Sequence, residues 1–106
     1  MHLNAGHFAP AATAFRIAHA LRPDMHDTLH QLGKAVNGLG DHREEERIFR
    51  RLVELQPGNA HWPFHVGLAL FAQGRLDEAI ASHQRAIEME PKEGSHYVNL
   101  GRCFDE

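Results

Sequence analysis

The chain has 106 residues, 42% of them hydrophobic and 24% charged, with a formal charge of −3 and ten histidines. That length fits one domain with a modest core, and no apolar run approaches the roughly 20 residues needed to cross a bilayer. Eleven Lys and Arg against fourteen Asp and Glu give no basic balance for nucleic acid, histidines interrupt any N-terminal leader, and the single Cys103 excludes an internal disulfide and fits a reducing, cytoplasmic setting.

The first segment, "GHFAPAATAFRIAHALRP" (Gly6 to Pro23), reads as a helix over about residues 8–21, with Gly6 ending whatever precedes it and Pro23 closing it. Asp24 is placed to cap the next helix, "HDTLHQLGKAVNGLG", whose apolar residues recur at three- and four-residue spacing. "GDHREEERIFRRLVELQP" (Gly40 to Pro57) follows, with Asp41 as its cap and its acids and arginines read as a salt-bridged, solvent-facing side. Asn59 then caps "AHWPFHVGLALFAQG", which is apolar around most of its circumference. "GRLDEAIASHQRAIEMEP" (Gly74 to Pro91) carries Asp77 and Glu78 at its positive end, and "GSHYVNLGRCFDE" closes the chain.

The three glycine-to-proline frames, Gly6 to Pro23, Gly40 to Pro57 and Gly74 to Pro91, are equal in length and start at one constant interval. Gly33, Gly67 and Gly101 keep the same interval inside the other kind of helix. A mid-helix glycine costs about 1 kcal/mol relative to alanine, so three in register imply close helix approach, with Ala11, Ala18, Ala79 and Ala86 as the small partners. Nothing alternates with period two, so the fold is all-α.

Residues 26–59 place Leu29, Leu32-Gly33, Val36, Phe49 and Pro57, and residues 60–93 place Val66-Gly67, Leu70, Ala79, Ala86 and Pro91, at matching offsets in that frame. This pattern resembles the tetratricopeptide repeat family, whose repeat unit is about 34 residues. The resemblance implies a right-handed alpha-alpha superhelix (solenoid) of helix-turn-helix repeats, with two complete repeats (26–59 and 60–93) flanked by half repeats (1–25, a second helix, and 94–106, a first helix) in a single domain. Four places depart from the pattern. Glu45 and Leu52 stand where the family prefers alanine, so that helix either stands off from its partner or keeps the Glu45 carboxylate at an edge. His83 replaces the usual aromatic, and Pro63 the tryptophan, with Trp62 one residue early.

The resemblance also implies a concave groove lined by the first helix of each pair. Its candidate residues are Asp27, His30, Gln31, Lys34 and Asn37, then His61, Phe64, His65, Leu68 and Phe71, then Ser95, Val98, Asn99 and Arg102. That surface has an apolar centre flanked by cations and suits an extended or helical peptide with an apolar anchor. Some family members clamp acidic chaperone tails on this face, but the corresponding places here hold His30, Lys34, His65, Ser95 and Asn99, only fragments of the charge set, so that partner is not expected.

His26/His30 and His61/His65 are i, i+4 pairs, and alignment of neighbouring first helices would bring His30, His61 and His65 together. Without an HExxH motif, a CxxC pair or an acidic third ligand, no metal and no cofactor are expected, and the histidines are read as solvated, with pH-sensitive partner binding as the weaker alternative. Ser82 and Ser95 have adjacent histidines pointing elsewhere on the helix, and Cys103 has no base, so no enzyme is expected.

The chain opens inside one repeat and closes inside another, as a fragment of a longer repeat protein would. The same ends could pair head-to-tail between chains, with Phe8 and Phe15 on one face and Tyr97, Leu100 and Phe104 on the other. The leading expectation is a protein-interaction module with a protein or peptide partner, acting on neither nucleic acid nor membrane. A self-assembling scaffold and an accessory segment of a larger multidomain enzyme are the alternatives.

Overall fold

A computed structural model describes residues 5–23 and 25–105. Among the described residues there are six helices and no strand: α1 (Ala5–Leu21), α2 (His26–Gly38), α3 (His42–Leu55), α4 (His61–Ala72), α5 (Leu76–Met89) and α6 (Gly94–Asp105). Each helix packs on the one that follows it, and α4 also touches α6. The result is an all-α helical-repeat superhelix in which contacts run between neighbours.

Turn chemistry explains where the helices reverse. Gly40 and Gly74 have φ of 77° and 75°, the left-handed region that glycine enters at little cost. The amide of Asp41 donates to Val36 O at 3.0 Å and that of Gly40 to Asn37 O at 2.9 Å; Arg75 to Leu70 O and Gly74 to Phe71 O repeat the pair at 3.0 and 2.9 Å. These are Schellman closures, which satisfy the last carbonyls of α2 and α4. At the other ends, Gln56 and Glu90 leave the helical region with ψ of 71° and 74°, immediately before Pro57 and Pro91. Asp41 Oδ1 accepts from the Glu44 amide at 3.1 Å, and Asn59 Oδ1 from the His61 amide at 2.9 Å, as expected of helix caps. Gly6 departs from expectation: it lies inside α1 and not just past the end of a helix. The Asp24 cap falls outside the described residues.

The core runs through Leu29, Leu32 and Val36 of α2, Ile48, Phe49 and Leu52 of α3, and Trp62, Val66 and Leu70 of α4. What approaches Gly33 and Gly67 is a ring and not an alanine. A Cβ on Gly33 would lie 2.7 Å from Phe49 Cζ, and one on Gly67 would lie 2.6 Å from His83 Cε1. Both rings stand at the same sequence offset from their glycine, on the second helix of the same pair. His83 therefore does the steric work of the aromatic it replaces, at 1% exposure, but leaves both ring nitrogens without a partner.

Two sequence expectations about α3 change. Glu45 is not at an edge: it is 3% exposed, and its carboxylate accepts from Asn37 Nδ2 at 3.1 Å and pairs with His42 Nδ1 at 2.8 Å. Nor does the charged run simply face solvent. Glu46 is buried and accepts from Arg50 Nε at 2.7 Å, Arg75 Nη1 at 2.6 Å and Gln73 Nε2 at 3.1 Å, tying α3 to the start of α5. Burial alone would raise its pKa, but the hydrogen bonds from Arg50 and Gln73 and the charges of Arg50 and Arg75 hold it below the usual carboxylate value. Trp62, buried one place early, donates Nε1–H to Gln56 Oε1 at 2.8 Å, so the shifted aromatic is both packed and satisfied.

Candidate functional site

A cavity of about 740 Å³ opens between the first four helices, within the size range of ligand clefts. Gln31, Lys34 and Asn37 contribute from α2, one helical turn apart on the face that Leu29, Leu32 and Val36 do not use. His65 and Leu68 enter from α4, and Glu45 and Phe49 from α3. Phe8 and Phe15, assigned by the sequence to an end face, line this cavity too. Phe8 covers Gly38, where an added Cβ would meet its ring. The floor is thus aromatic and aliphatic. Lys34 is exposed, while the Glu45 carboxylate is already occupied by Asn37 and His42.

Beside the cavity three histidines converge. His61 and His65 project from successive turns of α4, with one Nε2 donating to the other at 3.1 Å, and His30 of α2 completes the group at ring-centroid distances of 5.5 and 5.8 Å. Aromatic neighbours hold them. Phe49 stacks on His65 at 4.5 Å with 13° between planes, and Trp62 meets His30 edge-on at 5.0 Å. Burial, then the neighbouring His61, His30 and Lys34, lower the pKa of His65 to about 3. Burial, His61 and Lys34 also lower that of His30, against the opposing pull of Asp27. His30 and His65 are half-buried and packed, in contrast to the solvated histidines expected from the sequence; His61 is exposed.

The remaining groove candidates lie apart from the cavity. Phe64 packs between His83 and His96, at 6.2 and 5.3 Å between ring centroids. Phe71 carries the Arg102 guanidinium 5.1 Å above its ring, and Arg102 also donates to Asn99 Oδ1 at 3.3 Å. Asp27, Ser95 and Val98 are exposed. Of the end-face set, Tyr97 and Phe104 are 48% and 67% exposed, and Leu100 is half-buried. Cys103 is buried, and burial pushes its thiol pKa up against the opposing pull of Arg102, as suits a small packing group. Sequence reasoning missed Gly33, Gly38, Glu45 and Phe49 as cavity walls. The interval from Gly33 to Phe49, repeated from Gly67 to His83, is the signal that could have found the Phe49 wall.

Comparison with known proteins agrees with this architecture. A family model described as tetratricopeptide repeat matches residues 30–94 and 67–106. The TPR repeat-containing thioredoxin TTL4 of Arabidopsis thaliana is 25% identical over 105 residues, covering 95% of this chain. The chain spans 15% of that relative's length and 6% of another curated match. Among solved structures, that of MamA superposes with a TM-score of 0.86 at 27% identity, over 94% of this chain and 58% of that one. The first tetratricopeptide domain of Spaghetti (RPAP3), bound to the HSP90 peptide SRMEEVD, gives 0.85 at 20% identity, over 94% and 79%.

Proposed function

The chain belongs to the tetratricopeptide repeat family, and from that premise we propose that it is a non-enzymatic interaction module whose cavity between α1 and α4 receives a peptide with an apolar anchor and an adjacent acidic group. The observation that carries this reading is the cavity itself, walled by Phe8, Phe15, Phe49 and Leu68 with Lys34 exposed among the lining residues. Apolar walls supply the affinity, and a few placed polar groups orient the ligand. With His65 held neutral, Lys34 is the cation that a partner's carboxylate meets, while Gln31 offers an amide to the peptide backbone. The Spaghetti domain, which shares the fold, is bound to a peptide, and this supports a peptide as the partner class. The cytoplasmic setting read from the single cysteine belongs to the same proposal, as does service within a larger multidomain enzyme.

Labelled peptides with one Leu or Phe anchor, flanked by either acidic or basic residues, test the reading by fluorescence polarisation. Acid-flanked peptides should bind, Leu68→Ala should weaken them, and Lys34→Glu should shift preference to the basic set with helicity unchanged. Equal binding by wild type and both variants would overturn the assignment.

A second reading is favoured by one observation on α6. Gly101 has nothing within 4 Å of where a Cβ would stand, and Tyr97, Val98 and Phe104 are exposed around it. The α6 surface would accept a further second-type helix with a ring over Gly101, including α1 of another copy. Solution mass that rises with protein concentration is the expected result; a constant monomer mass would remove this reading.

A further inference from the structure

We infer that His30, His61 and His65 form a three-histidine site for a divalent cation of the zinc class, an assignment independent of the peptide reading. Each residue offers one ring nitrogen, and these three atoms lie within 4.8 Å of one another. Nε2 of His61 and Nε2 of His65 are 3.1 Å apart. Two nitrogens bound to a tetrahedral zinc at about 2.05 Å sit roughly 3.3 Å from each other, so that pair is already near coordination spacing.

The rings are held before any ion arrives. His61 and His65 share a face of α4 by their i, i+4 spacing. The Phe49 stack fixes the plane of His65, and Trp62 meets His30 edge-on. A ligand set whose orientation is fixed by packing gives up little freedom on binding.

Three imidazoles with no carboxylate or thiolate in the group suit zinc, copper or nickel and not calcium or magnesium. His61 is exposed, so the site can be reached from solvent. Three protein ligands leave a fourth position for water or for a side chain from elsewhere.

The test uses the full chain without a polyhistidine tag. Zinc chloride is titrated by calorimetry, melting is followed as free zinc rises, and cobalt chloride is added as a visible-absorbing substitute. One zinc per chain, a melting temperature that climbs with the logarithm of free zinc, and cobalt bands of tetrahedral type are the expected results. His61→Gln changes an exposed side chain, so it should keep its helicity. It should lose affinity by about 100-fold or more, since even outer-sphere changes at metal sites cost roughly 10–100-fold. His30→Gln should do the same, and His7→Gln and His26→Gln should bind as wild type does. Three results would overturn the site: no uptake, uptake unchanged by His61→Gln and His30→Gln, or equal loss in the His7→Gln and His26→Gln controls, which would mark unspecific binding by a histidine-rich chain.

Discussion

Gly33 and Gly101 occupy the same place in the repeat, two repeat intervals apart in the chain, yet their surroundings are opposite. Over Gly33 the Phe49 ring leaves no room for a methyl group, and Ile48 Cγ2 stands 3.4 Å from the same point. Over Gly101 there is open space. Gly67 lies between these extremes in chemistry: it is covered, but by an imidazole whose nitrogens find no partner. The same residue type is thus a packing requirement where a second helix follows in the chain and only a helix-weakening residue where none is described. The difference shows that the glycine encodes an interface between helices and not a property of its own helix.

Substitutions can break that comparison. Gly33→Ala should have the largest effect, a loss of about 2–3 kcal/mol from overpacking a fully buried ring. Read by thermal melting, that is on the order of 10 °C for a chain of this size. An unchanged melting point would mean that Phe49 swings aside freely and that the seat is not rigid.

His83→Phe should act in the opposite direction. It keeps a ring over Gly67 and removes two buried, unsatisfied nitrogens, a gain of about 1–2 kcal/mol. It should also change the pH profile. Burial first, then His96 and Arg102, depress the His83 pKa below its ordinary value of 6.5. The unfolded chain therefore takes up this proton more readily than the folded one, so the stability is present above about pH 6.5 and declines as the solution is acidified towards the folded pKa. Chemical denaturation at pH 7.5 and 5.5 should show a smaller difference for His83→Phe than for the wild type; parallel profiles would assign the acid sensitivity elsewhere.

Gly101→Ala should have the smallest effect on an isolated chain, a gain of about 1 kcal/mol from helix propensity alone. It sharpens the comparison, because the outcome depends on what covers α6. If another copy seats a ring there, the added methyl should lower the concentration-dependent mass that the wild type shows. If light scattering gives identical masses while stability rises, the Gly101 seat stays empty in solution.

Much of the fold was legible because its signals are local. The left-handed turns at Gly40 and Gly74, the Asp41 and Asn59 caps and the breaks before Pro57 and Pro91 are each written by residues within a few positions of one another, and the repeat interval shows as their recurrence. The candidate site was legible in part. Gln31, Lys34 and Asn37 fall on the cavity through their helical phase on α2, whereas Phe64 and Phe71 share the apolar α4 with His65 and Leu68 and pack towards α5 and α6. An apolar helix with no polar face has no phase to read, so periodicity could not separate those roles. Glu45 and Glu46 look like the solvated charges around them. Besides His42 and Arg50 on their own helix, partners from other elements offset the cost of their burial: Asn37 of the preceding helix for Glu45, and Gln73 and Arg75 of the repeat that follows for Glu46.

By itself, then, the sequence determined the helices, their ends and the interval at which they recur, since hydrogen bonding within a turn and backbone conformational cost are set by near neighbours. The tertiary structure alone decided which ring lies on which glycine and which carboxylates are enclosed. Those outcomes follow from how helix pairs stack, a packing of side chains across turns of the superhelix that no local pattern carries.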